Sequence, residues 1–468
     1  MKELAKLAKP QFVPPLQPTF APASLADREF LNMVNSSKRG VPLVFAVERG
    51  DGQISVFSTR CFDEGARYSS LNLPYAERVV KMLLWQRGGW RVMVGGPKSV
   101  GEHIKRVYSA RGARKFDFNF MANVYEHPFT VEVVTPDQIP GAQEGTVQLG
   151  GHLEGCRIGF DLGASDRKVS AVIDGEAVYT EEVNWDPRGN SDPTYHYNEI
   201  NAALKSAAKH MPRVDAIGGS AAGIYLNNRV RMASLFRGVP KELYDTKLAT
   251  LFYDLQKEWG GVPFDVVNDG EVTALAAALG LNDTAVLGIA LGSSEAGGYV
   301  TLDGEITTWL NELAFCPVDY DTVGGGVDEW SGDQGTGATY FSQQAVFRLA
   351  PAAGIEIDES LGLAERLKSV QDLLNKNDER ALKIWECIGI YMGYGIAYYA
   401  QYYTIKHALI LGRVTSFEGG NIILAKANEV LKGEFPELAE RITLHLPDEK
   451  TRRVGQAVAA ASLPEMKN

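Results

Sequence analysis

Asn268 and Asp269 stand side by side in VPFDVVNDGEVTALAAALG (residues 262–280), where an apolar strand is predicted to meet an alanine-rich helix. A carboxylate at such a junction can act as a general base, because it can accept the proton of a hydroxyl held within hydrogen-bond reach. It can equally be an N-cap, because its oxygens accept hydrogen bonds from the backbone N–H groups of the first helical turn. The stretch alone leaves both interpretations open.

Two turns rich in glycine and serine have the composition of phosphate-binding loops. Glycine lets backbone N–H groups approach a phosphate closely, and serine adds hydroxyl donors. The candidate phosphate contacts are Asp161, Gly163, Ser165 and Lys168 in DLGASDRK, and Gly292, Ser293 and Ser294 in LGSSEAGG. Each turn taken alone is also typical of an ordinary hairpin.

The two turns lie in the same predicted arrangement of strand, turn, strand, Asp-Gly turn and strand, which starts near residue 157 and again near residue 285. This internal duplication predicts two related lobes that face each other across a cleft. A further strand, in VDAIGGSAAGIYL, ends in small residues that include Gly219 and Ser220. A third glycine turn, at Gly412, follows a strand and precedes a helix predicted to begin near Gly420, an arrangement that suits an adenosine moiety or an ordinary connection.

Length and composition are typical of a globular protein with more than one domain. The chain has 468 residues, a length typical of two or three domains, and is 45% hydrophobic and 22% charged. The formal net charge of −11 argues against a broad nucleic-acid surface. The four cysteines lie far apart, which indicates neither a zinc site nor a disulfide framework. Neither a secretion signal nor a membrane-spanning run is apparent, so we expect a cytoplasmic protein.

Four segments are expected along the chain. Residues 1–25 form a proline-rich arm, lying on the surface or disordered. Residues 26–150 form an extra N-terminal α/β module, in which Glu102 stands where a phosphate-binding loop would need lysine. Residues 151–265 form the first lobe. Residues 266–468 form the second lobe, whose last helix could return to the first.

The order of these motifs resembles the sugar kinase–actin–heat-shock chaperone superfold, and more closely the ROK family of bacterial sugar kinases and repressors, over roughly residues 156–465. The resemblance implies a duplicated, two-lobed α/β fold of the actin-like, ribonuclease-H-like ATPase type. It also implies ATP and Mg²⁺ as cofactors and a sugar-like substrate. The closing VGQAVAAASL is similar to the last helix of that family.

The resemblance assigns roles to individual residues. It implies that Asp269 is the catalytic base and that Asp161 lies near Mg²⁺, through water. The implied substrate contacts are Asn268, Glu312, Gly219 and Ser220, and the implied nucleotide contacts are Asp161, Gly163, Ser165, Lys168, Gly292, Ser293, Ser294 and Gly412.

The sequence departs from the family at several positions. Phe315 stands where the family has a histidine, and Ala338 stands where a second sugar-binding glutamate is usual. Ser331 and Thr336 occupy cysteine positions of the family's zinc loop, so we expect no structural zinc. Ala164 and Ser294 also differ from the family's phosphate turns.

These observations predict an ATP-dependent kinase that phosphorylates a hydroxyl of a sugar or sugar-like small molecule. The alternative is a non-catalytic ligand sensor or interaction protein that retained the nucleotide-binding fold. The N-terminal module has no clear three-helix run, so DNA binding is not expected. The module could cover the cleft, mediate assembly into a homo-oligomer or contact a partner, and the sequence does not choose among these.

Overall fold

The structure is a computed structural model that describes residues 1–147, 150–163, 166–447 and 455–466. Its contacts divide the chain into two compact units. Unit 1 comprises Met1–Gly145, Ile289–Gly297 and Trp309–Leu446, and unit 2 comprises Thr146–Gly288, Gly298–Thr308 and Pro447–Asn468. Residues 1–145 thus group with residues 309–446, whereas the sequence predicted a separate module over residues 26–150.

The described strands and helices alternate along much of the chain. The strands are β1 (Gly40–Glu48), β2 (Ile54–Phe62), β3 (Arg91–Gly95), β4 (Thr130–Val134), β5 (Thr146–Val147), β6 (Cys156–Leu162), β7 (Asp166–Ile173), β8 (Glu176–Asn184), β9 (Ala216–Ala221), β10 (Ile224–Leu226), β11 (Arg229–Met232), β12 (Phe264–Asn268), β13 (Val286–Leu291), β14 (Glu295–Val300), β15 (Ile306–Thr307), β16 (His407–Leu411) and β17 (Thr443–His445). The α-helices are α1 (Lys2–Ala5), α2 (Ala23–Ser36), α3 (Asn72–Arg87), α4 (Lys98–Val107), α5 (Lys115–Tyr125), α6 (Pro193–Ala208), α7 (Lys241–Leu243), α8 (Leu251–Glu258), α9 (Asp269–Leu281), α10 (Gln343–Leu349), α11 (Leu363–Leu374), α12 (Glu379–Tyr399), α13 (Glu418–Glu434), α14 (Pro436–Arg441) and α15 (Gln456–Ala461).

Unit 2 is built on a five-stranded sheet in the order β12-β9-β6-β7-β8. Strands β12, β9 and β6 are parallel, and every residue of β6 and β9 is buried, as expected for central strands covered on both faces. Helix α15 lies directly on them, because a Cβ added at Gly218 would come within 1.7 Å of the Ala460 carbonyl oxygen. The predicted strand, glycine turn, strand, Asp-Gly turn and strand is present as β6, β7 and β8.

The duplicated arrangement recurs in a six-stranded sheet with the order β17-β16-β13-β14-β15-β5. Strands β13 and β14 form the second hairpin. The turn-side residues of both strands are counted in unit 1 and their outer residues in unit 2, and β15 follows the second Asp-Gly turn as predicted. The predicted glycine break after β16 is also present, and the helix after it, α13, begins at Glu418.

The N-terminal part of unit 1 contains a four-stranded sheet in the order β2-β1-β3-β4, with helices α3 and α4 where helical spacing was predicted. The expectation that the arm lies on the surface or is disordered is wrong. The ring of Phe20 is buried among Tyr340, Tyr391 and Tyr394 at centroid distances of 4.8–6.1 Å. Gln17 is buried too, and its amide donates to Asp319 at 2.8 Å. The arm is therefore anchored in the interior of unit 1 by Phe20 and Gln17.

Within the described residues, none of the helices combines the length and the apolar character needed to cross a membrane.

Candidate functional site

The parallel strands of unit 2 bring three predicted site segments to one edge of the sheet. The register pairs Asp161 on β6 with Ser220 on β9, and Ser220 with Val267 on β12. One step further, Leu162, Ala221 and Asn268 form the next row, so all three strands end together. The carboxyl ends of such strands are where open α/β sheets usually bind ligands. Asp269 follows directly as the first residue of α9.

Asp161 is a nearly buried carboxylate with one close partner. Its side chain is 8% exposed, and Oδ1 accepts a hydrogen bond of 2.6 Å from the hydroxyl of Ser220. The pKa of Asp161 is raised to about 6, mainly by burial, against the opposing effect of the Ser220 hydrogen bond and with a smaller contribution from the charge of Asp269. The Ser220 hydroxyl is thus engaged inside the protein, and the substrate contact predicted for it stays a prediction.

The first glycine turn carries the other residues predicted near Asp161. Lys168 lies directly opposite Asp161 in the antiparallel β6–β7 pair, which places the two side chains on the same face. The Lys168 ammonium is 3.8 Å from Asp166 and 3.9 Å from Glu182. Gly163 closes the turn, because its N–H donates to the carbonyl of Asp166 at 2.9 Å. Ser165 and Ala164 lie outside the described residues.

The structure separates the two roles that the sequence left open at the start of α9. Asn268 is the N-cap, because its Oδ1 accepts from the N–H of Gly270 at 2.8 Å. Its amide nitrogen donates to the carbonyl of Gly223 at 2.7 Å, so both ends of the side chain are fixed. Capping therefore does not require Asp269.

The Asp269 carboxylate is hydrogen-bonded to backbone N–H groups at the start of α9. Its Oδ1 accepts from the N–H of Gly270 at 3.0 Å. Burial raises the pKa of Asp269 above its ordinary value, against the effect of hydrogen bonds from the backbone N–H groups of Gly270 and of Asp269 itself. A carboxylate whose pKa is raised is a stronger base, which suits it to accept a proton.

Gly219 packs so closely against a neighbouring side chain that there is no room for a Cβ atom. A Cβ at this position would lie 2.2 Å from the ring of Phe160, its partner in the β6–β9 register. Any contact between Gly219 and a ligand would therefore use its backbone.

The second glycine turn and the glycine at residue 412 lie next to each other in unit 1. Gly412 has a φ of 104°, and a Cβ there would lie 2.5 Å from the carbonyl oxygen of Leu291. Gly292 follows Leu291, and its N–H closes the turn by donating to the carbonyl of Ser294 at 3.1 Å. Ser293 and Ser294 are exposed. The predicted second phosphate turn and adenosine turn are thus neighbours.

Solved structures of ROK proteins resemble this chain in fold over about two thirds of its length. A ROK hexokinase from Thermus thermophilus superposes with a TM-score of 0.52 at 17% identity, over 66% of this chain and 97% of that chain. A ROK family transcriptional regulator, described as a homologue of the Escherichia coli MLC protein, superposes with a TM-score of 0.53 at 18% identity, over 66% of this chain and 79% of that chain. The chain has a ROK-like fold. No protein-family model matches the sequence, and no curated protein is similar to it.

This ROK-like fold confirms the predicted actin-like α/β class. The segment that carries Glu312, for which the sequence predicted a substrate contact, lies in unit 1. The backbone N–H of Glu312 donates to the carbonyl of Trp85 at 2.9 Å. Phe315, which replaces the family's histidine, stacks on the ring of Trp85 with a centroid distance of 4.1 Å. Ala338 is buried.

The segment that resembles the zinc loop is held by hydrogen bonds. Ser331 donates its hydroxyl to Asp328 at 2.6 Å, and Thr336 is fully buried. Among the described residues, no group of three or more histidine, cysteine or acidic side chains could hold a metal ion. The absence of zinc stays a prediction.

Glu295 is a buried acid that follows the second glycine turn and was not among the predicted site residues. Its Oε1 accepts from the hydroxyl of Tyr399 at 2.9 Å. Its Oε2 packs against Gly337 and has no hydrogen-bond partner among the residues that the structure describes. Burial raises the pKa of Glu295 to about 8, against the effect of the Tyr399 hydrogen bond. The signal available in the sequence was a lone acidic residue at the start of the otherwise uncharged strand β14.

Proposed function

We propose that the protein transfers the γ-phosphoryl group of ATP to a hydroxyl of a sugar or sugar-like small molecule. The observation that carries the proposal is the position of Asp269. It lies at the carboxyl edge of three parallel strands, near Asp161, and directly follows Asn268, whose side chain caps α9.

Asp269 would accept the proton of the substrate hydroxyl as that oxygen attacks the γ-phosphorus. The bond from the γ-phosphorus to the bridging oxygen breaks, and ADP and the phosphorylated substrate are the products. Phosphoryl transfer depends mainly on positioning and on charge stabilisation, so a single well-placed base is the central side-chain requirement. Asn268 and Glu312 are the proposed contacts that hold the substrate.

The cofactor contacts are proposals of the same kind. Asp161 fits a magnesium ion held through water, because Mg²⁺ is commonly bound by one or two carboxylates together with substrate phosphates. The turns that contain Gly163 and Gly292 would contact phosphate through backbone and hydroxyl donors, with Lys168 adding positive charge. Gly412, next to the second turn, would accommodate the adenosine moiety.

A second function, that of a non-catalytic ligand sensor, is favoured by the similarity in fold to a ROK transcriptional regulator. The replacements at Phe315 and Ala338 remove two of the family's substrate contacts, which also suits a protein that binds without turnover.

One experiment separates the two functions. ADP release is measured over a panel of sugars and polyols, together with the affinity for Mg-ATP by calorimetry. A kinase binds Mg-ATP and releases ADP with at least one member of the panel. A sensor binds a ligand without releasing ADP. Failure to bind ATP or ADP, with and without the panel compounds, would contradict the kinase proposal.

A further inference from the structure

The last turn of α3 holds the backbone of the Glu312 segment. The final carbonyl groups of a helix have no partner inside the helix and must be satisfied from elsewhere. The carbonyl of Trp85 accepts from the N–H of Glu312 at 2.9 Å, and the carbonyl of Gln86 accepts from the N–H of Asn311 at 2.9 Å. The end of α3 and the Glu312 segment therefore fix each other within unit 1.

A buried aromatic contact strengthens this attachment. The ring of Phe315 stacks on Trp85 and also packs near Phe116 and Phe120, at centroid distances of 5.6 and 6.3 Å. Trp85 is fully buried, and its indole N–H donates to Asp117 at 2.6 Å. The surface that receives Phe315 is thus itself rigidly held.

A second attachment is ionic and involves the loop that follows the Glu312 segment. Asp333 receives the guanidinium groups of Arg78 and Arg114, each at 2.7 Å, and the ammonium of Lys81 at 3.3 Å. Lys81 is fully buried and also pairs with Asp117 at 2.9 Å. Burial alone would raise the pKa of Asp333, but the three cations hold it well below its usual range.

The Asp333 loop is connected back to the Glu312 segment through the backbone. The N–H of Val318 donates to the carbonyl of Gly335 at 2.8 Å, and the N–H of Gly337 donates to the carbonyl of Cys316 at 2.9 Å. A displacement of Asp333 would therefore be transmitted to residues 312–318.

We propose that α3 and Arg114 form a platform that positions Glu312 for substrate, and that Asp333 is a positioning residue which locks the platform to the substrate segment. The role of Glu312 as a substrate contact rests on the proposed function, whereas the mechanical attachment does not. A buried ionic cluster costs desolvation and is seldom the most stable choice, so its presence here suggests a role in fixing one geometry. This assigns a task to the N-terminal part of the chain.

The test compares Asp333→Asn with Asp63→Asn, a matched control in which a partly exposed aspartate of unit 1 loses its 2.7 Å pair with Arg39. Backbone hydrogen exchange of residues 309–318 is followed by mass spectrometry. Asp333→Asn should accelerate exchange there by about tenfold or more, because the local opening becomes easier. Asp63→Asn should leave it unchanged. Phe315→Leu, which keeps all buried charges paired, should accelerate the same peptides even if Asp333→Asn does not fold.

Kinetics on the substrate found in the panel separate positioning from general stability. Asp333→Asn should raise KM for the acceptor by about tenfold while the Kd for ADP stays within about twofold, because the nucleotide turns are untouched. Unchanged exchange in residues 309–318 of both folded variants would overturn the platform. Accelerated exchange together with no phosphoryl transfer in the wild type would support the platform and count against the proposed function.

Discussion

Asp161 and Asp269 differ in how the fold uses them, although each is an aspartate at the end of a strand. Asp161 lies inside β6 and is engaged by Ser220, so its carboxylate is oriented before any ligand arrives. Asp269 lies just outside β12, and the N-terminus of α9 is capped by the side chain of Asn268. Because Asn268 caps α9, Asp269 is not required for capping, which is consistent with its proposed role in proton transfer.

Glu295 predicts how stability changes with pH. Its pKa is about 8 in the folded protein, so between roughly pH 4.5 and 8 the folded state binds more protons at this site than the unfolded state does. The free energy of unfolding should therefore fall as pH rises through this window. In Glu295→Gln, which keeps an acceptor for Tyr399, this fall should be smaller by about 1.4 kcal/mol or more, the equivalent of at least one pKa unit.

Urea unfolding at pH 5 and pH 8.5 measures the difference. The exposed Glu437→Gln is the control and should retain the wild-type pH dependence. An equal pH dependence in Glu295→Gln and the wild type would show that the Glu295 carboxyl is not held protonated by burial.

At the level of elements, the position of α9 depends on close approach to the hairpin that follows it. A Cβ at Gly298 on β14 would lie 1.9 Å from the carbonyl oxygen of Gly270, in the first turn of α9. A Cβ at Gly288 on β13 would lie 3.5 Å from the Cβ of Ala274, an ordinary contact on the same helix. The two glycines are therefore a matched pair for testing whether α9 must be held in place.

Gly298→Ala should lower the free energy of unfolding by about 1–3 kcal/mol, because overpacking against backbone forces the helix to shift. Turnover should fall by about 10²-fold, since the shift moves Asp269 by a fraction of an ångström to 1 Å. Gly288→Ala should be neutral or stabilising by about 0.5 kcal/mol. Thermal unfolding and ADP release measure both, and equal behaviour of the two variants would contradict this account.

The elements also show what the sequence could predict. Apolar runs broken by glycine and Asp-Gly turns were sufficient for β6 to β8 and for β13 to β15, because hairpin turns require those residues locally. The same local signals located α9 and the break at Gly412. The burial of Glu295 could not be predicted, because it depends on Tyr399 and Gly337, which are distant in sequence. Capping by Asn268 rather than Asp269 depends on one hydrogen-bond geometry, which residue type cannot decide.

For the molecule as a whole, residues 1–145 are part of the core that residues 309–446 complete. Helix α12 is buried without interruption from Cys387 to Tyr399 and packs on α2 and α13. The buried Phe20 and Gln17 add contacts from the arm. Local patterns could not reveal this grouping, because it joins segments that are separated by more than 150 residues.

Removal of residues 1–145 should therefore prevent folding of the rest of unit 1. The remaining chain would expose the apolar side of α12 that α2 covers, and large exposed apolar patches promote aggregation. We expect residues 146–468 to be insoluble or to lack a cooperative thermal transition, with the full chain as the control. A soluble fragment that unfolds cooperatively near the temperature of the full chain would contradict this grouping and favour the separate module that the sequence predicted over residues 26–150.

The proposed role of Asp269 as the catalytic base can be tested with the substitution Asp269→Asn. Asn is nearly as good as Asp near a helix start and Asn268 already caps α9, so stability should change by less than about 1 kcal/mol. The affinity for ADP, measured by calorimetry, should be unchanged. ADP release with the substrate identified in the panel should fall by about 10²-fold or more, because general-base catalysis typically contributes about 10²–10⁴-fold. A variant that folds, binds ADP and keeps near-normal turnover would contradict the assignment.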